Sequence, residues 1–95
     1  MQNGDLESQG YNGYAAQLRD INYNDVRPEN YIGGFYVVAS SINAPFGEGW
    51  TYLILMAFNI SSCIQIALGD ANSREPKIKI RTLVSDVWGN WTQVI

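Results

Sequence analysis

The sequence predicts an all-β protein: a small antiparallel sheet or sandwich knob of about five strands, with an extended N-terminal arm. Short segments rich in β-branched and aromatic residues recur from residue 35 to the end of the chain. Gly, Pro, Asn, Asp and Ser clusters separate them at short intervals. Residues 1–30, by contrast, are polar, rich in Gly and Asn, and poor in side chains that could build a core.

Taken in order, residues 1–30 read as a polar docking arm. Within it Tyr11, Tyr14, Leu18 and Ile21 are spaced 3, 4 and 3 apart, which lines one face of a helix or a short a/d seam. The arm is therefore expected to hold at most a short helical turn, with those four residues as its docking face. Pro28 ends local order, and "IGGF" at 32–35 opens a body spanning 31–95. "FYVVAS" (35–40) is strand-like, and "INAPFGEG" (42–49) is a loop. "WTYLILMAF" (50–58) is apolar on both faces, so it needs cover on both. "CIQIALG" (63–69) alternates, with Ile64, Ile66 and Leu68 on one face. "DANSREP" (70–76) is a loop.

"KIKIRTLV" (77–84) alternates most clearly: Ile78 and Ile80 point one way, and Lys77, Lys79 and Arg81 the other. The basic row is expected to be a solvated outer face, charge being a common guard against strand aggregation. The chain closes on "VWGNWTQVI" (87–95). In a flat strand Trp88 and Trp91 face opposite sides. Gly89-Asn90 either bulges, which brings both rings to one face, or forms a two-residue turn. One ring is expected to pack inward under 50–58 and 63–68, and the other to cap a subunit boundary or a ligand.

Bulk properties narrow the function. A chain of 95 residues is a single domain at most, and small enough to need a stabilising device. The lone Cys63 makes no internal disulfide, and without His no zinc site suggests itself. Oligomerisation is the remaining device. Charged residues are 16% of the chain, against about 25% in typical domains, while aromatics are 13%. Such a surface suggests cover by partners. The net charge of −3 argues against nucleic acid or an anionic membrane as partner. Residues 1–30 carry five acids and two arginines, and residues 31–95 four of each sign, so the arm holds the whole excess. No signal peptide is apparent and no apolar run is long enough to span a bilayer, so synthesis in a cytoplasm without membrane insertion is expected.

Catalysis finds little to work with. Histidine is absent, the serines lack an activating base, and no phosphate loop or metal-ligand spacing occurs. Only Asp70 and Glu75, flanking one loop, form a conceivable carboxylate pair, and loop acids of this sort are ordinarily solvated. No enzyme activity and no cofactor are expected. Aromatic residues are the class most suggestive of binding, because sugars stack on flat amphipathic rings. Candidate glycan or receptor contacts are Trp91, Tyr52, Asn43, Phe46, Glu48, Asn72 and Arg74. The competing reading buries aromatic side chains in the core or an oligomer interface, for which Trp50, Leu53, Leu55 and Trp88 are the candidates.

The ordered set of segments resembles a known family. "GFYVV", the loop "NAPFGEG", the apolar strand "WTYLILMAF", Gln65 in "CIQIAL", Arg81 in "KIKIRT" and the closing Trp88-x-x-Trp91 follow one another over about two thirds of the chain. That succession is similar to the knob-like domains of bacteriophage tail fibres and R-type pyocin fibres. The resemblance implies a structural virion protein made in the bacterial cytoplasm: a fibre or a capsid or tail decoration knob, trimeric, displayed on the virion surface and without enzyme activity. Its implied partners are other copies of itself, capsid or tail proteins through the arm, and a host-surface glycan. It also implies a scaffold role for Arg81, Trp88 and Trp91, leaving receptor contact to loops 42–49 and 70–76. The alternative is a free-standing lectin-like carbohydrate-binding module.

Overall fold

The computed structural model describes residues 14–69, 71, 73–75 and 77–95. It is all-β, as the sequence predicts, with seven strands where about five were expected. They are β1 (Ala16–Arg19), β2 (Gly34–Ala39), β3 (Trp50–Asn59), β4 (Ser62–Gly69), β5 (Lys77–Val84), β6 (Val87–Trp88) and β7 (Thr92–Gln93). A 3-10 turn at Tyr23–Asp25 is the one helical element among the described residues.

All seven strands join one sheet in the order β1-β2-β3-β4-β5-β6, with β7 also paired to β5. Neighbours from β2 to β7 are antiparallel, while β1 runs parallel to β2. The four central strands are the expected ones, because their sequences carry period-two patterning and β-branched residues. β1 departs from expectation. Residues 16–19 form an edge strand, not a helical turn, with Ala16 opposite Tyr36 and Leu18 opposite Val38. Pairing to an existing strand edge outweighs a helical spacing only two heptads long.

The sheet has two unlike faces. On one, Tyr36, Val38, Thr51, Leu53, Leu55, Cys63, Gln65, Ala67, Arg81 and Leu83 are buried. Their cover is the chain's own. The crossover from β1 to β2 brings in Tyr23 and Val26, both fully buried, and the loop before β3 adds Ala44 and Phe46. The two covering segments are tied to each other. Asn22 Oδ1 accepts from the Asn24 backbone N–H at 2.9 Å and from Asn43 Nδ2 at 2.9 Å, and the Tyr23 N–H donates to the Ile42 carbonyl at 3.0 Å. Residues 14–30 thus belong to the folded body, a correction to the arm boundary at residue 30.

Which side chains of β3 and β5 turn inward is the second correction. Leu53 and Leu55, candidates for a subunit interface, are each 1% exposed beneath the chain's own loops. Of the basic row of β5, expected in solvent, Lys77 is exposed, whereas Lys79, opposite Ala67, and Arg81, opposite Gln65, share that covered face. The isoleucines of β5 look outward instead.

Candidate functional site

Two features stand out: a polar lock under the covering loops, and the sheet face that those loops leave bare. The lock starts at Gln65 and Arg81, cross-strand neighbours on β4 and β5. Gln65 Nε2 donates to the carbonyls of Tyr23 and Val26, each at 2.8 Å, which fixes the covering turn to the sheet. Gln65 Oε1 accepts from Arg81 Nε at 2.8 Å. One terminal nitrogen of Arg81 donates to Asn24 Oδ1 at 2.7 Å, while the other has no hydrogen-bond partner among the described residues. The guanidinium carbon lies 4.0 Å from the ring centroid of Trp88 and 4.5 Å from that of Trp91. Two π faces thus offset part of the cost of burying the cation. Burial lowers the Arg81 pKa to about 10.

Both tryptophans reach Arg81 because the last strand is interrupted. Trp88 pairs with Leu83 and Thr92 with Ile80, so three steps along β5 match four along β6 and β7. The extra residue is a bulge, and it puts both rings on the covered side. The Gly89 N–H donates to the Thr82 carbonyl at 2.9 Å and holds it in place. Each indole N–H then binds a covering loop: Trp88 Nε1 to the Asn24 carbonyl and Trp91 Nε1 to the Asn43 carbonyl, both at 3.0 Å. Trp91 also meets the Tyr23 ring edge-on at 6.3 Å. Of the two arrangements open for Gly89-Asn90, the bulge is the one adopted. The expected split of one inner and one outer ring gives way to two rings flanking one arginine.

The other candidate contacts are dispersed. Phe46 lies over Gly69, with Lys79 Nζ 5.0 Å from its ring and donating to the Pro45 carbonyl at 2.7 Å. Asn43 adopts a positive φ of 56° and uses its side chain on Asn22. Glu48 and Arg74 are exposed on separate loops. Asn72 and Tyr11 lie outside the described residues, as does Asp70 of the carboxylate pair. Tyr14 is 79% exposed, while Leu18 and Ile21 pack against the core. Trp50 is half-buried on β3 with the Arg19 guanidinium 4.7 Å from its ring centroid. Tyr52, 50% exposed, belongs to the bare face.

That face is built of cross-strand rows. Val37, Tyr52, Leu68 and Ile78 form one; Phe35, Ile54, Ile66 and Ile80 form the next; Met56, Ile64 and Thr82 form a third. From β2 to β5 these rows contain no charged residue. At one end Met56, Phe58, Ile64 and Val84 line an open cleft of about 380 Å³. Of the interface candidates on β3, Trp50 shares the parity of this face, while Leu53 and Leu55 lie on the opposite, covered one. Sequence reasoning passed over Tyr23, Asn24 and Val26, although an Asn followed by two apolar residues three apart was the available signal.

Compared with protein-family models, curated proteins and solved structures, the chain gave no match in any of the three. Among the described residues there is no cluster of potential metal ligands, and no helix is long and apolar enough to cross a membrane.

Proposed function

We propose that the chain is a structural virion protein of a bacteriophage, a multi-copy fibre or decoration knob. The observation that carries this reading is the convergence of the residues behind the resemblance. Gln65, Arg81, Trp88 and Trp91 come from three segments and meet in one lock, with hydrogen bonds of 2.8 Å and ring distances of 4.0 and 4.5 Å. Their use is scaffolding: they hold the loops that cover the sheet. A binding platform would leave such rings free to stack, whereas these two are occupied by a cation. The structural reading is thereby favoured over a lectin-like module, and recognition of a host surface falls to the exposed loops.

The test is to purify particles from a lysate of the host that produces the chain and to quantify it by mass spectrometry. The expected result is a fixed, integral-ratio copy number relative to the major capsid protein. A chain abundant in the lysate and missing from the particles sinks the proposal. A glycan array on the same protein separates the alternative: binding lost in Trp91→Ala with the fold intact would favour the lectin reading.

A further inference from the structure

We infer that the bare face of β2–β5 is an interface between copies of this chain, its occupant a second copy packed sheet to sheet. The inference names the surface through which the proposed knob would self-associate, but it rests on the sheet and not on the virion reading.

Four strands at ~4.8 Å spacing and about eight residues at ~3.3 Å give the face a footprint of roughly 500 Å². The largest contiguous apolar patch on a typical monomer is about 300–600 Å² and is often functional, so this face sits at the large end of that range. Pairing two such faces hides roughly 1,000 Å² of planar footprint, and more once side-chain relief is counted, which approaches the ~1,200–2,000 Å² of stable specific interfaces.

The composition of the chain limits what else covers this face. Its own covering loops are spent on the opposite side, where Tyr23 and Val26 are fully buried. Residues 1–13 offer only Met1, Leu6 and Tyr11 as large apolar side chains, too few for rows spanning four strands. A charge-free face carries no electrostatic mark for an unlike partner. It meets no like-charge repulsion from its own copy, which suits a two-fold interface that pairs one patch with itself. Outward aliphatic side chains such as Ile54, Ile66 and Ile80 suit packing about 10 Å apart, as in stacked sheets. The cleft beside Met56 and Phe58 gives the second copy a place to insert a side chain.

The experiment measures the molar mass of the full chain by light scattering, and its urea midpoint over about a hundredfold range of concentration. The expected wild-type mass is at least twice 10.6 kDa, with a midpoint that rises with concentration. Ile66→Lys, at the centre of the bare face, is expected to run at 10.6 kDa with a concentration-independent midpoint and unchanged tryptophan fluorescence. A wild-type monomer with a concentration-independent midpoint overturns the inference. So does a folded Ile66→Lys variant that keeps the wild-type mass. If that variant fails to fold, Phe35→Lys, at a 63% exposed position of the same face, takes its place with the same two outcomes. A chain incorporated in particles but monomeric in isolation removes this inference and leaves the virion reading standing; an oligomer missing from particles does the reverse.

Discussion

Arg81 is 5% exposed, and its hydrogen bonds go to neutral amide oxygens of Gln65 and Asn24, not to a carboxylate. A buried cation without an anionic partner survives only if geometry supplies what charge does not. Here the supply is a flat guanidinium between two indoles with its edge on two amides. Lysine offers neither the fork nor the plane. Arg81→Lys is therefore expected to cost about 1.5–3 kcal/mol, the range for hydrogen bonds to a charged group, read from urea unfolding followed by tryptophan emission. Unchanged stability would mean that the lock is incidental. Alkaline behaviour tests burial at the same scale. Burial pushes Cys63 above its ordinary 9.0 and Tyr23 and Tyr36 above 10.0. Each holds its proton in the folded chain after the unfolded chain has released it. Their stabilisation is complete below the unfolded value and is lost as pH rises towards the folded one. Arg81, lowered to about 10, has the opposite sign and opposes the tyrosines above that pH. Between pH 9 and 10 the raised Cys63 leads among the described residues, before the tyrosines release their protons. Stability is expected to start falling there, and in Cys63→Ala the fall is expected to begin only near pH 10. Identical onsets in both proteins would contradict the assignment.

The elements show why alternation was readable and its direction was not. β5 alternates isoleucine with Lys79 and Arg81, so two faces were evident. Which face turns inward depends on the partners of the polar heads. Lys79 reaches the Pro45 carbonyl and Arg81 reaches Gln65 and Asn24, all from segments distant in sequence. Long polar side chains can cover apolar surface with their stems and bond at their tips, which the one-dimensional pattern does not display. The double-sided apolarity of β3 was legible; that Leu53 and Leu55, and not Trp50, lie under the chain's own loops was not. The bulge at Gly89-Asn90 was legible as one of two options, and the pull of Arg81 on both rings selects it. The β4 end shows a tighter fit. A Cβ built on Gly69 would lie 2.1 Å from the Phe46 ring. Gly69→Ala must displace that ring from the loop it anchors and from Lys79. A loss of about 1–3 kcal/mol is expected, as for other overpacked sites. Calorimetry checks it: a thermal midpoint equal to wild type would show that Phe46 moves without cost.

At the scale of the molecule, the position of the crossover between β1 and β2 decides where the body begins. The sequence places that boundary at residue 30, because residues 1–30 look too polar to build a core. The structure uses few of their side chains but uses them deeply. Tyr23 and Val26 are fully buried, and the carbonyls of Tyr23, Asn24 and Val26 are bonded by Gln65 and Trp88. Composition averages over such a segment and hides the two residues that matter. The two boundaries make opposite claims about truncation. A chain starting at residue 14 retains every core contact described, and circular dichroism and tryptophan emission are expected to match the full protein. A chain starting at residue 31 lacks β1 and the covering turn. Gln65 Nε2 then faces no carbonyl, Arg81 loses Asn24, and Leu53 and Leu55 lose their cover. Unsatisfied buried polar groups at about 1–3 kcal/mol each, added to the lost burial, exceed what a small domain can spare. The shorter chain is expected to show no cooperative unfolding transition. A cooperative transition in residues 31–95 would restore residues 14–30 to the arm and leave the lock as decoration on a sheet that folds without it.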